Sequence, residues 1–180
     1  MTPGTHLIAS WLVGVELLKE RRERTIVAFA GLAPDLDGLG ALTDKLNLTT
    51  DLYIKYHHYL GHNIVFITLI SLFAAKIAKY QKASVFVLSF IVMHIHILCD
   101  LVGSGSEGGH QWPIFYLYPN TQFSLTWQHQ CLLNSWQNNV FVALLFIIMG
   151  YYQITKKISI LEIFSNKIET TFQNMLSAKN

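Results

Sequence analysis

Two short stretches concentrate imidazole and carboxylate side chains: HHYLGHN at 57–63 and HIHILCD at 94–100 hold five of the chain's eight histidines. His96 and Asp100 are four residues apart, as are His58 and His62. On a helix that spacing puts both side chains on one face, close enough to touch one ion. His57 and His62 are five apart and converge only if His57 precedes the first turn. His94 and His96 cannot share a helical face, so His94 is expected to hydrogen-bond a neighbouring helix instead. A Pro-led turn, PDLDG, supplies Asp35 and Asp37, whose side chains point the same way if the turn is extended. His6 lies near the N-terminus. Imidazole and carboxylate without thiolate suit Zn²⁺ first, with Mn²⁺ or Fe as alternatives, and are typical of catalytic sites that keep a position open for water. Seven or eight such residues exceed what one tetrahedral ion uses. The pattern therefore predicts two or more ions, or residues that orient the ligands from behind. Asp37 or His58 is placed to accept a proton from an activated water.

The elements that position these residues are apolar helices. The chain has 180 residues, is 52% hydrophobic and 13% charged, and has a mean hydropathy of +0.35. Its length predicts one domain. Between Lys82 and Lys156 there is no Lys or Arg at all, as expected of lipid-embedded segments. A net charge of +2 with dispersed basic residues excludes a nucleic-acid surface. Cys99 and Cys131 have neither the number nor the spacing of a disulfide scaffold, a zinc finger or a thioredoxin-like site. MTPGTH lacks the basic region of a secretory signal, so the chain is read from Met1 onward.

Three stretches are expected to span a bilayer: Asn63 to Tyr80, Ser84 to Val102 and Trp136 to Tyr152. Two shorter pieces, Thr5 to Leu18 and Thr25 to Ala33, form a shallow N-terminal hairpin leaning on them. The fold class is thus an all-α, membrane-embedded helical bundle with a long loop from Gly103 to Ser135. Residues 1–155 make up the metal-site domain, and 156–180 a cytoplasmic tail, either amphipathic or flexible. Lys/Arg clusters at 19–24, 76–82 and 156–157 face the cytoplasm by the positive-inside rule. Tracing the chain on that basis brings His6, Asp35, Asp37, His57, His58, His62, His96 and Asp100 to the opposite, extracytoplasmic face. The Gly-rich start of the long loop lacks the Lys-Ser/Thr ending of a phosphate loop and reads as a lip, with Glu107 and His110 in reach of the site. Trp112, Phe115, Tyr116 and Tyr118 follow as an aromatic belt, and the Trp and amide residues of 126–139 either bind a polar headgroup or anchor the last span.

The strings MTPGTHLIASW, GLAPDLDGLG, HHYLGHN and HIHILCDLVGSGSEGGHQWPI, with LNSWQN beyond them, resemble the bacterial membrane-bound metal-dependent hydrolase family. The resemblance covers Met1 to Asn139. It implies an inner-membrane protein with His6, Asp35, Asp37, His57, His62, His96 and Asp100 as metal-binding residues. That family is itself likened to zinc-dependent phospholipase C enzymes. Where many relatives have His-Arg this chain has His57-His58, so either histidine takes the ligand role. The implied activity is metal-assisted hydrolysis of an ester or phosphoester, with a lipid or other small molecule as substrate and the bilayer as partner. The alternative is a non-catalytic metal-handling membrane protein, which requires ligands continuing through the spans.

Overall fold

The computed structural model describes residues 1–46, 52–106 and 111–178. These form eight α-helices and two 3-10 turns: α1 (Pro3–Leu17), α2 (Arg21–Leu32), a 3-10 turn (Ala33–Leu39), α3 (Gly40–Lys45), α4 (Leu52–Tyr56), α5 (Ile64–Ile77), α6 (Lys82–Gly103), α7 (Trp136–Thr155), a second 3-10 turn (Ile160–Ile163) and α8 (Asn166–Ser177). Among the described residues there is no strand, only two isolated bridge pairs in the long loop. The all-α bundle expected from the sequence is what the structure shows.

Three helical stretches are long and apolar enough to cross a membrane: Arg21–Lys45, Lys82–Gly103 and Trp136–Thr155. The number matches the expectation and two of the members do. The third does not, because the segment expected from Asn63 to Tyr80 yields only the 14-residue α5. Its ends are fixed by polar groups. Asn63 caps α5 by accepting from the Phe66 amide, and beyond Ala78 the Lys79 and Tyr80 amides donate to Glu23 instead of continuing the helix. The hairpin α1–α2 is also not shallow. Trp11, Val27 and Ala28 are fully buried, and α2 packs between α1 and α6 at the centre of the bundle. The α2 run continues through Pro34, which is tolerated at the start of the 3-10 turn because no intrahelical N–H is needed there.

Sparse apolar clusters hold the helices together. Leu18, Val27, Ala74, Val85 and Val92 join α2, α5 and α6, while Trp11, Val15, Ala28 and Leu145 join α1, α2 and α7. Large apolar side chains such as Leu144, Ile147 and Ile154 on α7 point outward, as in a bundle whose solvent is lipid. The segment after α7 returns to the body: Glu162 is buried against Trp11 and Arg24. Helix α8 keeps Ile168 and Met175 exposed.

Candidate metal centre

At one end of the bundle, helices α1 and α6, the first 3-10 turn and the 57–63 turn bring their polar residues together. His6 sits in the first turns of α1, and its Nε2 lies 3.2 Å from Asp100 Oδ1. His6 and His96 stack, with ring centroids 3.6 Å apart. His96 is fixed from behind by a 2.7 Å hydrogen bond from Nδ1 to the Gly31 carbonyl. That bond leaves the Nε2 lone pair facing the cluster, 3.0 Å from Asp100 Oδ2 and 3.6 Å from Asp35 Oδ1. Gly31 also lets α1 and α2 pack closely, since a Cβ there would meet Ser10 Oγ at 1.8 Å. On the other side of Asp100, its Oδ2 lies 3.3 Å from His62 Nε2 and 3.7 Å from His58 Nε2. Asp100 Oδ1 also contacts the Met1 amino group and accepts a 2.9 Å hydrogen bond from Ser104.

The result is two groups of donor atoms, each within 4.8 Å of one another: His6, Asp35, His96 and Asp100, and His58, His62 and Asp100. Asp100 belongs to both. Six buried side-chain atoms among the described residues lack a hydrogen-bond partner, and three of them are here: Asp35 Oδ2, His58 Nδ1 and His96 Nε2. Buried polar atoms without partners are costly and uncommon, and a bound cation would satisfy them where imidazole and carboxylate atoms face one another. The residues present therefore fit a metal ion in one or both groups.

Asp37 stands behind this cluster. Its carboxylate accepts from His57 Nδ1 at 3.0 Å, from His62 Nδ1 at 3.0 Å and from the Gly61 amide at 2.8 Å. Gly61 makes this possible, as any Cβ would meet the Pro34 carbonyl at 2.2 Å. Carboxylate, imidazole and ion in series are the usual way to orient a ligating histidine. Burial pulls the His62 pKa down, but the hydrogen bonds to Asp100 and Asp37 outweigh it and leave it raised to about 9. Burial, with neighbouring His62 next, pushes His58 down to about 2.

The local geometry differs from the sequence expectation at three points. PDLDG is a 3-10 turn, not extended, and with three residues per turn Asp35 and Asp37 diverge. Asp35 faces His96 and Asp37 faces His57 and His62. His58 and His62 meet on a non-helical turn, at 4.4 Å between ring centroids, rather than on a helix face. The left-handed backbone of His58, with φ of 65°, turns its ring into the cluster. His94 lies apart from the site and bonds not to a neighbouring helix but to its own helix, where Nδ1 donates to Phe90 O, and to the long loop, accepting at Nε2 from the Tyr116 hydroxyl at 2.8 Å. His57 lies beside the donor groups, on Asp37.

Two aromatic residues close the His57 side. Tyr53 stacks on His57 at 4.5 Å, and Trp112 meets Tyr53, His57 and His58 edge-on. Burial, then Asp35, Asp100 and Asp37, raise the Tyr53 pKa. Tyr53 carries no signal in a single sequence beyond lying four residues before His57. Trp112 was expected in a belt and instead covers the cluster. Glu107 and His110 lie outside the described residues. Asn138 donates to the Gly103, Leu132 and Leu133 carbonyls, so this amide anchors the last span.

Fold and cluster together define a helical membrane protein with a candidate metal centre at one end of its bundle. The chain matches the YdjM inner membrane protein family over residues 1–165 and belongs to that family, which makes it a bacterial inner-membrane protein. No curated protein and no solved structure matches it.

Proposed function

We propose that this protein is a metal-dependent hydrolase of an ester or phosphoester, with its site on the extracytoplasmic face of the inner membrane. The observation that carries this reading is the pair of donor groups sharing Asp100, with unpartnered buried atoms on three of their residues, Asp35, His58 and His96. Bound divalent metal would supply Lewis acidity and an activated water, as paired-ion hydrolases use them. His6, Asp35, His58, His62, His96 and Asp100 would hold it. Asp37 positions His62 and His57, and the Gly31 carbonyl positions His96. If it does not ligate, His58 is placed by its unpartnered Nδ1 to accept a proton, although burial opposes its charged form. The opposed Lys/Arg-rich end argues for the extracytoplasmic side.

One observation weighs against a metal carrier. The buried polar residues outside the cluster include Ser10, Ser71, Ser89, Glu23, Arg24 and Glu162, with no descending series of His or Asp among the described residues. The test is elemental analysis of detergent-purified wild type beside His96→Ala and Asp100→Ala, with turnover of a phosphoester panel measured on the same samples. Wild type is expected to retain about two equivalents of a transition metal and both variants to lose metal and turnover together. Turnover that survives loss of the metal, or a wild type that binds none after reconstitution, would overturn the proposal.

A further inference from the structure

The cluster is sealed on most sides. The side chains of His62, His96, Asp37 and Asp100 are at most 1% exposed, whereas Asp35 is 12% exposed and its Oδ2 has no partner. His57 is equally exposed but lies against Tyr53 and Trp112. Approach is therefore from the Asp35 side.

That side is apolar. The segment that turns Asp37 inward turns Leu36, Leu39 and Leu42 outward, each more than half exposed. Their three-residue spacing puts them on one face. Beside this segment a crevice of about 260 Å³ opens between α2 and α5, lined by Ile26, Phe29 and Ala33 on one side and Ile70, Phe73 and Ile77 on the other. Thr25 is the one polar lining residue. From Thr25 to Ala33 the crevice extends about 12 Å at 1.5 Å per residue, close to the depth of one leaflet of a roughly 30 Å hydrocarbon core. It ends two residues before Asp35. Helix α2 belongs to a stretch apolar enough to cross the membrane, so the crevice opens to hydrocarbon rather than to water.

We infer that this crevice seats the hydrocarbon chain of a membrane glycerophospholipid whose phosphate lies at the open Asp35 side of the cluster. The crevice is apolar along the helices, and its Ala33 end lies two residues along the chain from Asp35 of the donor groups. For the fate of the headgroup the inference rests on the hydrolase reading, and it narrows the substrate class to a lipid phosphoester entering sideways from the bilayer.

The test uses full-length protein in phosphatidylcholine vesicles doped with phosphatidylglycerol carrying a diazirine on one acyl chain. Photo-crosslinks are mapped by mass spectrometry. Turnover of phosphatidylglycerol and of water-soluble bis(4-nitrophenyl) phosphate is followed alongside. Crosslinks at Phe29 and Phe73 are expected to exceed those at Leu144 and Ile147, which face outward on α7, several-fold. Filling the crevice with Ile70→Trp, or with Phe73→Trp at a position that is 58% exposed and tolerant of bulk, should reduce these crosslinks to the α7 level. It should also lower phospholipid turnover about tenfold or more, the loss of roughly 1.4 kcal/mol of positioning, while metal content and turnover of the soluble diester stay unchanged. Even labelling of α2, α5 and α7, or equal loss on both esters with metal intact, would overturn the inference. Crevice labelling that persists while neither ester is turned over would uphold the lipid seat and sink the hydrolase reading alone.

Discussion

The two ends of the bundle both bury ionised groups, but they treat them differently. At the basic end Arg24 forks onto Glu162 through Nε and a terminal nitrogen, Trp11 donates to the same carboxylate at 2.9 Å, and Arg24 also reaches the Leu18 and Lys19 carbonyls. Every charged atom of that pair has a partner, and the pair ties the segment after α7 to α1 and α2. At the other end Asp100 faces His6, His62, His96 and His58, yet three buried atoms around it have none. In a low-dielectric interior an unpaired polar atom is expensive. The Arg24–Glu162 pair is a closed structural lock; Glu23 Oε2 beside it also lacks a partner but belongs to no group of ligand-type atoms, whereas the open network around Asp100 does and marks a place for an ion.

Substitutions at the two ends should separate along this line. The largest effect is expected from Asp100→Ala, which removes the carboxylate common to both donor groups: bound metal should fall to background by elemental analysis while the protein still purifies as a folded monodisperse species. Retention of full metal content would break the comparison. At the basic end Glu162→Ala strands a buried guanidinium and should cost about 3–5 kcal/mol in detergent unfolding, with metal stoichiometry per folded molecule unchanged. Metal loss there would mean that the ends are not independent. Asp37→Asn keeps the shape but weakens the orientation of His62. About 10–100-fold weaker metal affinity in a chelator competition is expected.

The response to pH follows from His62. Its pKa is raised to about 9 in the metal-free protein, so the stabilisation from its charged form is complete below the unfolded value of 6.5 and is lost as pH rises through about 9. Metal uptake must displace that proton. Between those values uptake should release about one proton from this site and tighten by up to about tenfold per pH unit, which calorimetry in buffers of different ionisation enthalpy would measure. The smallest effect is expected of His94→Phe. Losing the Tyr116 hydrogen bond should cost about 1 kcal/mol and leave metal affinity as in wild type.

The membrane class was legible in the sequence because it rests on local quantities. Apolar runs, and the absence of Lys and Arg from 83 to 155, need no knowledge of packing. The spacing of His96 and Asp100 was equally legible, since α6 is helical through both and its 3.6-residue period sets their common face. The length of α5 was not, because Glu23, 56 residues from Lys79, takes the amides that would have extended it. PDLDG misled for a related reason. Its two aspartates look equivalent by spacing, and only the 3-10 turn sends one to His96 and the other to His57 and His62.

By itself, then, the sequence determined which chemistry was available: imidazole and carboxylate without thiolate, on short apolar helices, gathered at the end opposite the lysines and arginines. Only the tertiary structure decided that Asp100 would be shared between two donor groups, that Asp37 would stand behind them, and that Tyr53 and Trp112 would close the His57 side. Residue type and helical period are properties of neighbouring residues along the chain. These pairings join α1, the 3-10 turn, the 57–63 turn and α6 across as many as 94 positions, between His6 and Asp100. They exist because Gly31 and Gly61 let the backbones approach and the helices pack in one particular arrangement.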